Sequence, residues 1–257
     1  MPKYFVDASD IDNGRVIMRG ENADHLITVV RARPGDSVIV CDGWRMDYIC
    51  EIADISSGKD RYLTLRIQSK REAPEPLLKT TIYQALPKAD KMEYIIQKCV
   101  EMGVTDIIPV YTDNSEIKIL SEAKLSRYRK ISEASAKQCM RGIIPRIGAP
   151  IALEQAVADS RGCDLVFAPY ENERQTGLKD FLRGRNMGEI RSCAYFIGSE
   201  GGFSDREADM FTEAAIPLVS LGNRILRTET AGFAVLTVLM YMCGELGASK
   251  GEWDGKN

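Results

Sequence analysis

The apolar residues of this chain change period once, and the change falls at a pair of prolines. Up to residue 72 they come in short runs between turn signals, RVIM (15–18), DSVIVCD (36–42), MDYICEI (46–52) and YLTLRI (62–67), the spacing of a small β-rich module. KREAPEPLLK then sets Pro74 and Pro76 among charges, where missing amide donors and fixed φ angles disfavour continued regular structure. Beyond it TTIYQAL (80–86) reads as a strand, and Met92, Ile95, Ile96, Cys99 and Met102 recur on one helical face that ends at Gly103, a C-cap residue. TDIIPVY (105–111), DLVFAPY (164–170), CAYFIGS (193–199) and PLVSLG (217–222) read as buried strands, with helical patterns at 121–140, 205–215 and 228–246. Strand and helix alternate, which predicts an α/β fold with a mostly parallel sheet covered on both faces. The expected domains are therefore 1–73 and 74–257.

A chain of 257 residues is long enough for two domains with their own cores. His25 is its single histidine, so multi-histidine metal sites and histidine-centred hydrolysis lack their partners, and no metal is expected. The seven cysteines are scattered without a C-x-x-C pair and read as reduced thiols in the core. The opening MPKYFVDASDIDNGR carries charges where an export signal would carry its apolar core. Thr230 to Gly244 is uncharged but shorter than the roughly 20 apolar residues that span a bilayer, and reads as a buried or interfacial helix. A cytoplasmic protein without a membrane partner is expected.

Charge is unevenly spread. The net −3 divides into −2 over residues 1–75, +4 over 76–150 and −5 over 151–257. Much of the middle excess lies on Lys124, Arg127, Arg129, Lys130, Lys137 and Arg141, with Arg146 beyond Pro145. Charge alone favours a solvated helix face; a phosphate-binding surface is the sharper alternative, and its affinity would fall with salt.

Two segments carry the chemistry. In AYFIGSEGGFSDREADMF an apolar strand runs into Gly198, Ser199, Glu200, Gly201 and Gly202, and Ser204 with Glu207 fits a capping box that opens a helix. Such glycines bring backbone amides close to a ligand, although a ligand-free turn fits the motif equally well. In VSLGNRILRTETAGFAVL, Leu221 ends a strand, Gly222 and Asn223 turn the chain, and Thr228 or Thr230 caps a long helix with Glu229 at its positive end. Helix capping leaves Asn223, Arg224 and Arg227, interleaved with Ile225 and Leu226, without a purpose. That alternation suits a loop with apolar residues against a flat ring and polar groups toward a charged substrate.

Together IGSEGGFSDRE and LGNRILRTETA closely resemble the SPOUT class of RNA methyltransferases, specifically the RsmE family. The resemblance extends to 84–116 and 127–147 in the catalytic domain and to HLITVVRARPGD (25–36) in the N-terminal module, nearly the whole chain. It implies a small N-terminal PUA-like β-barrel followed by a SPOUT α/β domain tied in a deep trefoil knot. It also implies a homodimer and methylation, from S-adenosylmethionine, of N3 of uridine 1498 in 16S ribosomal RNA of the assembled small subunit. A ribose 2′-hydroxyl or another base as acceptor, or a catalytically silent RNA-binding assembly factor, are the alternative readings.

Carried over by position, the cofactor site comprises Pro169, Tyr170, Glu171, Gly198, Ser199, Glu200, Gly201, Leu221, Gly222, Ile225, Leu226, Arg227, Thr228, Glu229 and Ala231. Ser199 stands where the family usually has proline, and Asp24-His25 where its N-terminal module often has paired histidines. Arg227 and Arg224 are the expected stabilisers of uracil oxygens or a neighbouring phosphate. Glu200 is either a general base or a loop-holding carboxylate. Arg31, Arg33, Lys88, Lys130, Lys137, Arg141 and Arg146 are the expected RNA contacts.

Overall fold

The structure, a computed structural model, describes residues 1–247 except Ser57 and Lys59. The last ten residues of the expected second domain thus lie outside the described residues. The chain forms two compact units, one of residues 1–75 with 133–144 and one of 76–132 with the chain from 145 onward. The first unit is discontinuous in sequence, and it includes the end of a helix that the proline boundary alone assigns to the second.

The first unit contains β1 (Lys3–Phe5), a 3-10 turn (Ala8–Asp10), β2 (Ile11–Asp12), β3 (Arg15–Arg19), α1 (Gly20–Asp24) running into a π-helical turn (His25–Val30), β4 (Ser37–Cys41), β5 (Met46–Ser56) and β6 (Tyr62–Glu72). The strands form one sheet in the order β1-β4-β5-β6-β3-β2, parallel only at β1–β4. Alternate residues point to one core, Val16 and Met18, Val38 and Val40, Leu63 and Leu65 among them, as the two-residue period of a strand requires. His25 Nδ1 lies 2.8 Å from the Tyr4 hydroxyl, a structural hydrogen bond. Segment 133–144 joins this unit because Glu75 accepts from the amides of Gly142 (2.8 Å) and Ile143 (3.0 Å), and the Met140 carbonyl accepts from the buried Lys3 ammonium.

The second unit contains β7 (Lys79–Ala85), α2 (Lys91–Met102), β8 (Asp106–Tyr111), α3 (Glu122–Gln138, its last turns in the first unit), β9 (Arg146–Ile147), β10 (Ile151–Ala152), α4 (Leu153–Ser160), β11 (Leu165–Pro169), α5 (Leu178–Leu182), β12 (Ser192–Ile197), α6 (Asp205–Glu213), β13 (Leu218–Val219) and α7 (Thr228–Met242). The order β10-β8-β7-β12-β11-β13, with β9 beside β8, is parallel at every pairing. This is the expected α/β class. Stacked Tyr83 and Phe196, with Phe203 edge-on to Phe211, fill the core on one side of the sheet. α7 packs on α2. The α2 face holds Met92, Ile95, Ile96, Cys99 and Val100 rather than Met102, which is half-buried, and Gly103 closes the helix at φ +104°.

One strand is shorter than its apolar run. PLVSLG forms a strand only at Leu218 and Val219, with Ser220 in an isolated parallel bridge to Gly177, so Leu221 lies in a loop. Past Val219 the backbone turns to α5's entry instead, where Ser220 N–H donates to Thr176 (2.8 Å) and Leu178 N–H to Ser220 (2.9 Å). Parallel sheets bind ligands where the carboxyl ends of adjacent strands open. Here the ends of β11, β12 and β13 lead into loops 170–177, 198–204 and 220–227.

Candidate functional site

The loop after β12 is a tight turn, with Gly202 N–H donating to Ser199 C=O at 3.1 Å and Gly202 at φ +64°. A Cβ at Gly202 would fall inside the Glu171 carboxylate, and one at Gly198 would come within 2.9 Å of the Gly202 backbone. Close packing on backbone therefore demands Gly198, and the left-handed φ demands Gly202, whose Cβ would meet only the movable end of Glu171. Ser204 then starts α6 with the expected capping box, its hydroxyl accepting from Glu207 N–H while Glu207 accepts from Ser204 N–H.

Segment 112–116 after β8 buckles this loop in place, and sequence reasoning did not single it out. Glu207, fully buried, accepts at 2.8 Å from Asp113 N–H with one oxygen and at 2.8 Å from Ser204 N–H with the other. Asp113 accepts from Ser204 Oγ at 2.6 Å and from Arg206 at 2.9 and 3.1 Å. Those side-chain bonds, Arg206 first and Ser204 next, hold the Asp113 carboxyl down at about 2. Asn114 Nδ2 donates to Gly201 C=O at 2.8 Å.

The third loop is stitched to its neighbours at both ends. Neither threonine caps α7. The N-cap is Arg227, which makes no side-chain cap, and Thr228 is the first helical residue. Its hydroxyl is spent instead on Gly198 C=O (2.6 Å), and it accepts from Gln84 Nε2 (2.9 Å), so β7, β12 and α7 meet at one oxygen. Glu229 lies in the first turn of α7, where a negative charge suits the helix dipole.

Loops 170–177, 198–204 and 220–227 enclose a cleft of about 470 Å³. It is lined by Pro169, Tyr170, Glu171, Gly198, Ser199, Glu200, Gly201, Leu221, Gly222, Ile225, Leu226, Arg227, Thr228 and Ala231. Glu229, expected with them, is not in the lining. Lys91, Arg174, Ile197, Gly202, Phe203, Ser220, Asn223 and Arg224 line it too. Gly202, Asn223 and Arg224 sit inside the quoted motifs, whereas Lys91 and Arg174 arrive from elsewhere in the chain and carry no local signal.

Glu200 accepts from Lys91 Nζ at 2.7 Å and from Lys88 N–H at 3.0 Å. Burial pushes its carboxyl up, but the Lys91 ammonium and the amide bonds outweigh burial and hold it below the ordinary carboxylate value. It is thus an ionised tether of the glycine loop to the start of α2, poorly suited to accept a proton. The cysteines are no more reactive, since burial pushes the Cys41 and Cys99 thiols up to about 12 and Cys50 to about 11. Among the described residues there is no cluster of three metal-ligating side chains and no helix long and apolar enough to cross a membrane.

The expected RNA contacts divide. Arg31, Arg33, Lys88, Lys130 and Arg146 are exposed, with Lys88 paired to Glu116 and Arg146 to Asp106. Lys137 is half-buried, donating to Glu133 (2.7 Å) and Asn22 (3.0 Å). Arg141 does not belong in the set. Its side chain is 7% exposed and locked on Glu75, itself 3% exposed, at 2.7 Å, so it is an internal brace of the first unit. The basic helix is largely neutralised by its own surroundings, with Arg127 on Glu93 and Arg129 on Glu122.

A family model described as RNA methyltransferase domain matches residues 73–240. Ribosomal RNA small subunit methyltransferase E of Bacillus subtilis (strain 168) is 30% identical over 249 residues, covering 94% of this chain and 96% of its own. The protein of that name from Buchnera aphidicola subsp. Acyrthosiphon pisum (strain APS) is 28% identical over 252 residues, covering 95% of each. Among solved structures, a putative methyltransferase from Legionella pneumophila in complex with the bound cofactor SAM aligns with a TM-score of 0.81 at 28% identity, covering 93% of this chain and 96% of that one. A Ribosomal RNA small subunit methyltransferase E from Neisseria gonorrhoeae shares the fold at a TM-score of 0.79 and 24% identity, covering 94% and 98%.

Proposed function

Because this chain belongs to the RNA methyltransferase family that includes ribosomal RNA small subunit methyltransferase E, we propose that it methylates N3 of a uridine in 16S ribosomal RNA, uridine 1498 in the usual numbering, with S-adenosylmethionine as donor. The observation that carries the proposal is the meeting of two sequence-distant motifs, the glycine loop and the Leu221–Thr228 loop, in the walls of one cleft. The cofactor fits what lines that cleft. Its volume suits a ligand of this size, the turn at Gly198–Gly202 lays backbone along its wall, and Leu221, Leu226 and Ala231 offer apolar surface. When bound, S-adenosylmethionine supplies a methyl group on a positively charged sulfur.

The chain's own residues orient and stabilise. The backbone of 198–201 and of 220–222 holds the donor. Glu200 and Asn114 fix the shape of the glycine loop, the first replacing its alternative role as a base. Arg227 and Arg224 would stabilise the uracil oxygens of the anion formed when the N3 proton passes to solvent. N3 lies on the Watson–Crick edge, so the uridine enters unpaired. Exposed Arg31, Arg33 and Lys130 contribute phosphate contacts, and Lys88, Lys137 and Arg146 contribute only by sharing themselves with Glu116, Glu133 and Asp106.

The same reading takes the first unit as a PUA-like barrel and the second as a trefoil-knotted SPOUT domain acting in the cytoplasm. The six-stranded sheet supports the first of these, and the all-parallel sheet of the second unit is consistent with the SPOUT α/β domain. It also takes the protein as a homodimer. From Thr230 onward α7 carries no charge and leaves Val238, Tyr241 and Met242 exposed, which supports that state. Small subunits from cells lacking the protein, incubated with it and labelled cofactor, should gain label at N3 of that uridine. Label on a ribose or another base would move the acceptor, and cofactor binding without label would leave a silent assembly factor.

A further inference from the structure

We infer that Arg174 is a substrate-positioning residue whose guanidinium holds a phosphate of the RNA strand that carries the acceptor uridine. The inference rests on the function proposed above and adds a residue that neither motif contains. Arg174 lines the cleft and is exposed, which places it at the rim, where a strand running from the cleft to solvent must pass.

Its loop is built to hold it still. Glu173 accepts from the amides of Gln175 (2.5 Å) and Thr176 (2.9 Å), bonds that pull its carboxyl below the ordinary range. Tyr170 N–H donates to Val219 (3.0 Å) and Ser220 N–H to Thr176 (2.8 Å), so the loop bearing Arg174 is hydrogen-bonded to the loop bearing Arg224 and Arg227. Glu173, the nearest carboxylate in sequence, is thereby committed to backbone.

Charge compensation points the same way. Lys88, Lys91, Arg127, Arg129, Arg141, Arg146 and Arg206 all have carboxylate partners. Of the cations lining the cleft, Lys91 is held by Glu200, Arg227 has only Glu229 at 4.0 Å, and Arg174 and Arg224 have no carboxylate partner among the described residues. Three uncompensated or weakly paired guanidiniums thus ring one cleft of a chain whose net charge is −3. A bound cofactor offers a single carboxylate, which one arginine satisfies, whereas an RNA strand brings a phosphate at every step. The planar guanidinium fork matches a phosphate in a bidentate way that an ammonium does not.

The test uses the full-length protein, its R174A and R174K variants, and a 16S ribosomal RNA fragment carrying the acceptor uridine. R174A should weaken RNA binding roughly tenfold at low salt and flatten the slope of log Kd against log salt by about one contact's worth. KM for RNA should rise with kcat little changed, and cofactor Kd by calorimetry should stay at the wild-type value. R174K should keep the salt slope and recover part of the affinity. Weakened cofactor binding with unchanged RNA affinity would assign Arg174 to the cofactor carboxylate and overturn the inference. Unchanged RNA affinity and unchanged cofactor binding would make it a solvated side chain and overturn it as well. Wild-type protein that binds no RNA would instead remove the function on which the inference rests.

Discussion

Replacing Glu207 by alanine should both destabilise the second unit and loosen its cofactor loop, and the size of the effect follows from two hydrogen bonds. The side chain is fully buried and accepts from Ser204 N–H and Asp113 N–H, each at 2.8 Å. Alanine leaves both donors without an acceptor, at about 1–3 kcal/mol each. Asp113 lies at the surface, where water satisfies part of its loss, so the total expected is about 2–4 kcal/mol. For a unit of this size that corresponds to a fall in Tm of roughly 5–12 °C. E207Q keeps one acceptor oxygen and turns an amide NH2 toward the second donor, so it should lie about midway between wild type and E207A. Because both bonds hold segments that grip Gly198–Gly202, cofactor Kd should rise in the same order, wild type below E207Q below E207A. Scanning calorimetry of the three proteins, with titration of S-adenosylmethionine below the melting range, measures both effects. A Tm within 2 °C of wild type for E207A, or an unchanged cofactor Kd in a destabilised variant, would refute the idea that this buckle shapes the loop.

Further outcomes follow from the same geometry. R227A should lose about 10²-fold or more in methyl transfer with an unchanged melting temperature, as removal of a charge stabiliser of the reacting group does; wild-type turnover would remove its role. R141A should lower the stability of the first unit by about 3 kcal/mol, because it strands the buried Glu75 carboxylate, while RNA affinity measured on the folded protein stays unchanged. The Asp113 carboxyl, held at about 2 against an ordinary 3.8, stabilises the fold above about pH 4, and that contribution disappears as pH falls toward 2. D113N should therefore have a lower urea midpoint than wild type at pH 6, with the gap closing near pH 2; a constant gap would mean that the ion pair with Arg206 is immaterial.

What could be read from the residues alone follows the range of the interactions involved. A strand such as Leu63–Leu65 announces itself because burial alternates along a few residues, Val38–Cys41 because a short apolar run sits between turn signals, and α2 because its apolar face and Gly103 lie within one helix length. The Ser204–Glu207 capping box is equally local and forms as written. Reading failed where one group is claimed by two distant partners. Thr228 looks like a cap, but the carbonyl of Gly198, thirty residues away, takes its hydroxyl, and Gln84 takes its lone pair. Leu221 looks like the end of a strand, but Ser220 bonds to Thr176 and turns the chain away.

The same logic governs the charges, and it changes where an RNA surface is sought. A run of lysines and arginines on α3 and just beyond it is visible in sequence, and so are Glu122 and Glu133 on the same helix, but the pairing of Arg127 with Glu93 of α2 and of Arg141 with Glu75 of the proline segment is not. Net charge per segment says how many cations are in excess, whereas the structure says which of them already face a carboxylate. The opposite holds at the cleft, where Arg174, Arg224 and Arg227 sit in a segment of net −5 yet keep their charge largely uncompensated. Affinity for a polyanion is drawn first from cations with no carboxylate at home, because even an exposed pair that costs under about 1 kcal/mol to open keeps a carboxylate beside the phosphate. Salt-dependent binding should therefore respond more to substitutions in the acidic C-terminal segment than to those at Arg127 or Arg129. Equal responses would show that the internal pairs on α3 open on contact with RNA.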